Sequence, residues 1–285
     1  MIFLRKLYPI FLSFLLVYFS FYYTNKVIDI VRSKDKIMLQ IKKEKSKYEQ
    51  KAQSAQIIDN KIVPGKNGKK VNEIKSFSKM KQYGKYNDSL YVFDEVEPDI
   101  SIDSYYDKYI EKGRNDENKV AIVFHIDRFD NIEDVIEILK NNNTKATFFM
   151  DGLFIENNSN SIKNMKNSGH ELELLNYNGS YDKMYFEKGL HSLFNITKEE
   201  PRYCYAEYDN KKVLELCNSL GLHTIIPSIN TNNNSFNIIK NKLDSGSIIS
   251  LKNSSINLNT IINYIKQRGY KLVTLNELLL EDIEK

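Results

Sequence analysis

Seven short apolar runs of strand type alternate with helical segments from Val120 to the end of the chain, and this alternation constrains the fold more than any other feature. The runs lie at residues 120–125, 145–150, 170–175, 202–205, 223–226, 247–251 and 270–273. Several are continuously apolar, which is typical of strands buried on both faces of a parallel sheet. Repeated βα units of this kind predict an α/β domain whose sheet is open or closed into a barrel.

Helices are expected between these strands, at residues 132–141, 161–167, 183–194, 210–220, 236–244 and 256–268, and a last helix begins at Leu275. In barrels of this class, the residues that carry chemistry lie at the C-terminal ends of the strands. The 41 basic and 37 acidic residues give a net charge of only +4. That balance gives no reason to expect nucleic-acid binding, which needs a concentrated basic face.

Four stretches of the domain carry a family resemblance: VAIVFHID at 120–127, KATFFMDG at 145–152, GHEL at 169–172 and GYKLVTL at 269–275. As a set they resemble the polysaccharide deacetylase (NodB-homology, carbohydrate esterase 4-like) family, in a degenerate form of its clostridial and bacillar membrane-anchored type. The resemblance implies an incomplete seven-stranded (β/α) barrel. It also implies metal-dependent hydrolysis of the amide bond in an N-acetylated polysaccharide.

The metal-binding positions of that family are only partly kept. Asp127 stands at the position of the metal-binding Asp, and His125 stands at the position of the catalytic base. By itself, Asp127 is equally well explained as a helix cap or as a partner of Arg128. The register of GHEL places the two metal-binding His at Leu175 and Gly179, and neither residue can bind a metal.

The later strand ends have also lost the expected groups. At the fourth, the Arg-x-Pro-Tyr-Gly loop of the family is replaced by a shorter passage within residues 201–210. Asn230 stands where the family has an Asp, and Lys252 stands where it has the catalytic acid His. Lysine cannot replace that acid near neutral pH without a large shift of its pKa. Tyr205, Glu173 and Asn230 are expected to line the cleft.

Two functions follow from this pattern. The first is a non-catalytic protein of the cell envelope that binds glycan or docks a protein partner and needs no cofactor. The second is an active deacetylase of peptidoglycan or another N-acetylated polysaccharide, with zinc or another divalent metal in a rearranged site built from His125, Asp127 and Glu173. A catalytic metal needs about three protein ligands. Because Asp127 is the only position that matches, the first function is favoured.

The N-terminus predicts a membrane anchor. Residues 7–25 (LYPIFLSFLLVYFSFYYTN) are uncharged and follow Arg5 and Lys6. The length spans a bilayer as a helix, with tyrosines suited to the interface. Because no small-x-small cleavage site follows, an uncleaved signal-anchor is favoured over a cleaved signal. Lysines after the span favour a cytoplasmic C-terminus, but long domains translocate largely regardless of charge, and the resemblance implies an extracytoplasmic domain at the cell membrane.

Four parts are expected along the chain: a cytoplasmic tip and transmembrane signal-anchor at 1–25, a charged helical stalk at 26–58, a lead-in segment at 59–118, and the deacetylase-like domain at 119–285. Heptad-like apolar spacing runs from Val27 to Ala55 but is interrupted by Lys34 and Lys45. The interruptions favour a single solvated helix over a coiled-coil dimer. A coiled-coil assembly factor, with the stalk as the functional part, is the third hypothesis. The lead-in segment, with a helix at 73–83 and a strand-like run at 90–93, is expected to pack on the main domain.

Cys204 and Cys217 are the two cysteines of the chain. They stand at a strand end and on the following helix, so a disulfide is open to them outside the cytoplasm. Because Cys217 lies beside the apolar Leu214 and Leu216, an unpaired buried thiol is favoured.

Overall fold

The computed structural model describes residues 2–128, 130–231, 235–253 and 256–282, with side chains from Phe11 onward. The chain divides into two compact units. Unit 1 contains Met1–Ala52 and Gly68–Val96, and unit 2 contains Gln53–Asn67 and Glu97–Lys285. The segment 59–118 is therefore shared between the two units.

The first third of the chain contributes to both units. Its elements are α1 (Ile2–Lys34), α2 (Lys36–Glu44), β1 (Gln56–Ile58), β2 (Lys61–Val63), β3 (Gly68–Val71), α3 (Glu73–Tyr83), β4 (Phe93–Val96) and β5 (Tyr109–Ile110). The expected helix at 73–83 is confirmed as α3. The strand expected at 90–93 lies at β4 instead, where it pairs antiparallel with β3. Within α1, Phe11–Lys34 is long and apolar enough to cross a membrane, as a membrane anchor or a signal sequence would be.

The prediction of a helical stalk over residues 26–58 is wrong beyond Glu44, because α2 is part of a small folded unit. Asp35 separates α1 from α2 and caps α2, since its carboxylate accepts a hydrogen bond from the Ile37 N–H at 2.9 Å. Met38 and Ile41 of α2 are buried, so these seam positions lie inside unit 1. Ile41 packs in one cluster with Val71, Met80 and Tyr91. Residues 56–58, the end of the expected stalk, form β1.

Unit 2 continues with a regular alternation of strands and helices. They are β6 (Lys119–Ile126), α4 (Glu133–Asn141), β7 (Thr147–Asp151), α5 (Gly152–Asn157), α6 (Ser159–Asn167), β8 (Glu171–Asn176), α7 (Lys183–Thr197), β9 (Tyr203–Tyr205), α8 (Lys211–Ser219), β10 (His223–Ile225), β11 (Ile229–Asn230), α9 (Phe236–Lys242), β12 (Ile248–Lys252), α10 (Leu258–Gln267), β13 (Lys271–Val273) and α11 (Leu275–Leu279). All seven expected strands are present, and the α/β class is confirmed. Helix α5 was not expected; it begins directly after β7 because Asp151 accepts a hydrogen bond from the Leu153 N–H.

The strands of unit 2 lie in two sheets. One has the order β11-β12-β6-β7-β8, all parallel, and β13 also pairs with the beginning of β6. The other has the order β1-β2-β5-β10-β9. Alternate residues of β6 enter two apolar clusters: Val120, Ile122, Phe124 and Ile126 enter the first, and Ala121 and Val123 enter the second. Burial on both faces explains why β6 reads as a continuous apolar run.

A buried carboxylate joins β8 to β9, which belong to different sheets. Glu173 of β8 is 3% exposed and accepts hydrogen bonds from the N–H groups of Arg202 and Tyr203, at 3.0 and 3.1 Å. Burial, reinforced by the neighbouring Glu171, raises the pKa of Glu173 well above its ordinary value. Glu173 therefore contacts the beginning of β9, and its expected place in the cleft is wrong.

The raised pKa makes Glu173 a pH-dependent element of stability. Its neutral form contributes stability that is fully present below the ordinary pKa of 4.5 and is lost as the pH rises through the folded-state pKa. We expect Glu173→Gln, which stays neutral and keeps an acceptor oxygen, to stabilise the protein more at pH 8 than at pH 5. A difference of about 2–4 °C in the unfolding midpoint corresponds to about 1 kcal/mol in a domain of this size.

Thermal unfolding of both proteins at the two pH values measures this effect. Glu187→Gln, on the exposed side of α7, is the matched control. Equal shifts in the two variants, or a Glu173→Gln effect that does not change with pH, would contradict the assignment.

Cys204 of β9 and Cys217 of α8 form a disulfide, with their Cα atoms 6.1 Å apart. The expectation of an unpaired thiol is wrong, because α8 packs against β9 and brings the two fully buried residues together. Disulfides persist in oxidising compartments and are rare in the cytosol.

The disulfide closes a short loop, since the cysteines are 13 residues apart. Loops of this size contribute about 3 kcal/mol by restricting the unfolded chain. We expect reduction with dithiothreitol to lower the free energy of unfolding by about 2–4 kcal/mol in a denaturant titration. The variant Cys204→Ala/Cys217→Ala should be insensitive to the reductant. Two free thiols titrated in the unreduced, unfolded wild type would overturn the pairing.

Candidate functional site

Three strands, two from one sheet of unit 2 and one from the other, bring expected site residues together. Lys252 of β12 is the lateral partner of His125 of β6. Tyr205, at the end of β9, meets the His125 ring edge to face, with the ring centroids 3.9 Å apart. The Tyr205 hydroxyl donates a hydrogen bond to the Ser250 hydroxyl at 3.2 Å. These four residues form the strand-end cluster.

The environment of His125 does not suit a general base. Burial, together with the nearby Lys252 cation, lowers the pKa of His125 to about 4. Its Nε2 atom is buried and has no hydrogen-bond partner among the described residues. A general base works best when its pKa lies near the operating pH. His125 is therefore a neutral, weakly basic ring packed against Tyr205.

Asp127 lies in an exposed turn after β6. Its N–H donates to the Asp130 carboxylate at 2.8 Å, and its carbonyl accepts from the Asp130 N–H at 3.1 Å. The first N–H of α4, that of Glu133, is bonded by Asn131, so Asp127 is not the cap of that helix. Arg128 donates to the Asn178 side chain. Burial raises the pKa of Asp130, although the hydrogen bond from the Asp127 N–H opposes this shift.

The two positions that hold His in the family are built differently here. Leu175 is buried in the second apolar cluster with Phe149 and Tyr205. Gly179 has a φ of +72° in the turn after β8. Its N–H donates to the side chains of Asn176 and Asp151, at 2.9 and 3.2 Å.

The side chains at this strand end do not fit a metal ion. Within residues 2–128, 130–231, 235–253 and 256–282, no group of three or more His, Cys, Asp and Glu is placed to hold one. Leucine and glycine offer no side-chain ligand, so Asp127 stands without the two His that complete the site in the family.

Three residues near this strand end, Glu207, Tyr181 and Tyr208, were not predicted as site residues from the sequence. Asn230 donates a hydrogen bond to the Glu207 carboxylate at 3.1 Å, so the expected cleft residue has an acidic neighbour. Tyr181 is 38% exposed and hydrogen-bonds to Asn176. Burial of its hydroxyl, with Glu207 and Asp127 nearby, raises the pKa of Tyr181.

Tyr208 is a second aromatic residue here; it neighbours Tyr181 and is 67% exposed. We define the cleft face by Asp127, Tyr181, Glu207, Tyr208 and Asn230. The sequence could have indicated Tyr181, Glu207 and Tyr208 as site residues, because they lie in the loops that follow β8 and β9.

Residues 112–188, which contain β6, β7 and β8, match the sequence profile of the polysaccharide deacetylase family. This part of the chain therefore resembles a polysaccharide deacetylase domain in a degenerate form. Leu175 and Gly179 stand where the sequence resemblance predicts the two metal-binding His of the family.

Comparisons over longer stretches agree with this resemblance. The Bacillus subtilis protein YlxY is 33% identical over 153 residues, which are 53% of this chain and 48% of that protein. The chain therefore spans about half the length of that relative. The structure of a carbohydrate esterase 4 pseudoenzyme from Bacillus anthracis is 22% identical, with a TM-score of 0.65 over 88% of this chain and 97% of that one. A mutant of that pseudoenzyme with restored enzymatic activity has a TM-score of 0.66 at 23% identity, over 88% of this chain and all of that one. At these identities the likeness shows the fold.

Proposed function

We propose that this chain is a membrane-anchored protein of the cell envelope whose deacetylase-like domain is catalytically inactive and binds glycan. The observation that carries the proposal is the state of the two His positions. Leu175 contributes to the apolar core, and Gly179 contributes its backbone to a turn. A substitution to His at either position would therefore have to be accommodated by changes in the core around Leu175 and in the turn at Gly179.

The other parts of the family's reaction are missing as well. That reaction needs a metal-activated water, a donor for the oxyanion and an acid for the leaving amine. The loop that would supply the donor is shortened, and one such donor is worth about 3–4 kcal/mol of transition-state stabilisation. Lys252 replaces the acid, and the neighbouring His125 has a pKa of about 4. No catalytic step is therefore assigned to this site.

Glycan binding is supported by the chemistry of the cleft face. Sites for polar ligands combine aromatic surfaces with a few fixed polar groups. Tyr181 and Tyr208 offer rings that sugar faces can stack on, since 38% and 67% of their surfaces remain exposed. Asp127, Glu207 and Asn230 supply oxygens and an amide for hydroxyl groups. The likeness to a carbohydrate esterase 4 pseudoenzyme supports a retained fold without the activity.

Two features support a place outside the cytoplasm. The segment Phe11–Lys34 of α1 has the length and hydropathy of a membrane span. The disulfide between Cys204 and Cys217 suits an oxidising compartment. Both agree with a domain held at the outer face of the membrane by an uncleaved N-terminal helix.

Binding to purified peptidoglycan sacculi tests the proposal. We expect the detergent-solubilised full chain to co-sediment with sacculi, and Tyr208→Ala to weaken binding at least tenfold, or about 1.4 kcal/mol. Tyr83→Ala is the matched control, because Tyr83 is a comparably exposed tyrosine of unit 1. Full retention of binding by Tyr208→Ala, or no binding by the wild type, would contradict a glycan site on the cleft face. Acetate release that Asp127→Asn abolishes would contradict the inactive assignment.

A further inference from the structure

The small net charge of the chain conceals an uneven distribution. After the uncharged stretch that ends at Asn25, unit 1 has 15 Lys and Arg against 8 Asp and Glu, a net charge of +7. Unit 2 has 24 Lys and Arg against 29 Asp and Glu, a net charge of −5. The excess of cations thus belongs to the unit that contains α1.

Helix α2 concentrates part of this charge on one face. Met38 and Ile41 are buried against the rest of unit 1, so the opposite side of the helix faces outward. That side has Lys36, Leu39 and Lys43 at the i, i+3 and i+7 positions. We call these three residues, with the adjacent exposed Lys42, the α2 basic face.

The α2 basic face has the composition of a helix that lies on a membrane. Leu39 keeps 54% of its surface exposed between two lysines, although apolar side chains of α2 have a core available on the other side. Lysines that flank an exposed apolar residue are typical of interfacial helices, in which the apolar side chain enters the headgroup layer and the amines meet phosphates.

The candidate membrane span Phe11–Lys34 ends where α1 ends, which places this face close to the bilayer. Asp35 alone separates α1 from α2. The Asp35 carboxylate also forms an ion pair with Lys81 of α3 at 2.6 Å, and Lys45 pairs with Glu73 at 2.8 Å. These contacts tie α2 to α3, so the folded part of unit 1 follows directly after α1. Attraction of basic residues to anionic lipids acts within about a Debye length of the surface.

We propose that the α2 basic face binds the headgroups of anionic phospholipids in the membrane that α1 enters. The occupant follows from charge complementarity and from the covalent continuity of α2 with α1. In either topology α2 meets the leaflet on its own side of the membrane, so the inference does not depend on topology. It rests on the membrane anchoring of the proposed function and is independent of glycan binding.

Acetylation of lysines in the reconstituted full chain tests this inference. The protein is placed in vesicles of phosphatidylcholine alone or of phosphatidylcholine mixed equally with phosphatidylglycerol, and is treated with a membrane-impermeant acetylating reagent. We expect Lys36, Lys42 and Lys43 to react at least threefold more slowly in the anionic vesicles at about 0.1 M salt, because headgroups cover the amines. The difference should vanish at about 1 M salt, where screening shortens the Debye length to about 3 Å.

A matched pair of variants separates this contact from a general effect of charge. Lys42→Glu/Lys43→Glu should abolish the slower reaction of Lys36, whereas Lys211→Glu/Lys212→Glu, an adjacent exposed pair in unit 2, should leave it unchanged. Equal acetylation rates of Lys36 in the two kinds of vesicle would overturn the inference. Flotation of the vesicles is measured first: protein that fails to float contradicts the membrane anchor, and floating protein with equal rates contradicts only the lipid contact.

Discussion

The burial of β6 on both faces is the constraint on which unit 2 depends. The strand pairs in parallel with β7, β12 and β13, and its side chains enter both apolar clusters. The pairing register of β6 fixes where the neighbouring strands end, so it positions His125 beside Lys252. The family's chemistry lies beyond the core, at the end of this strand. For that reason the chemistry can be lost while the fold is kept.

The alternation of strands and helices was predictable where apolar residues alone decide it. Strand β6 and helix α3 lie where the sequence placed them, because a run buried on both faces and a capped amphipathic helix each carry a local signal. The stalk was misread because α2 has heptad-like spacing, and only the packing of Ile41 shows which partner its apolar side meets. The Cys204–Cys217 bond and the place of Glu173 depend on which elements become neighbours, which no local pattern encodes.

The candidate site was likewise predictable from the sequence only in part. The sequence was enough to place Asp127, Leu175, Gly179 and Lys252 within or just after strands, but their equivalence to the family's site residues stays a prediction. The sequence could not show that Tyr205 packs on His125, or that burial makes this histidine a weak base. The cleft face was missed because Tyr181, Glu207 and Tyr208 lie in loops that no longer follow the family's pattern.

The central claim is that the site has lost the ability to bind a metal ion. The aromatic and polar groups of the cleft face are then the chemistry that the site retains. The most direct test is calorimetric titration of Zn²⁺ into the detergent-solubilised full chain, with Asp127→Asn beside it. The account predicts no stoichiometric binding by either protein, because Leu175 and Gly179 supply no ligand. Stoichiometric binding at micromolar or lower concentration in the wild type, lost in Asp127→Asn, would contradict it and would point to an active, rearranged metal site.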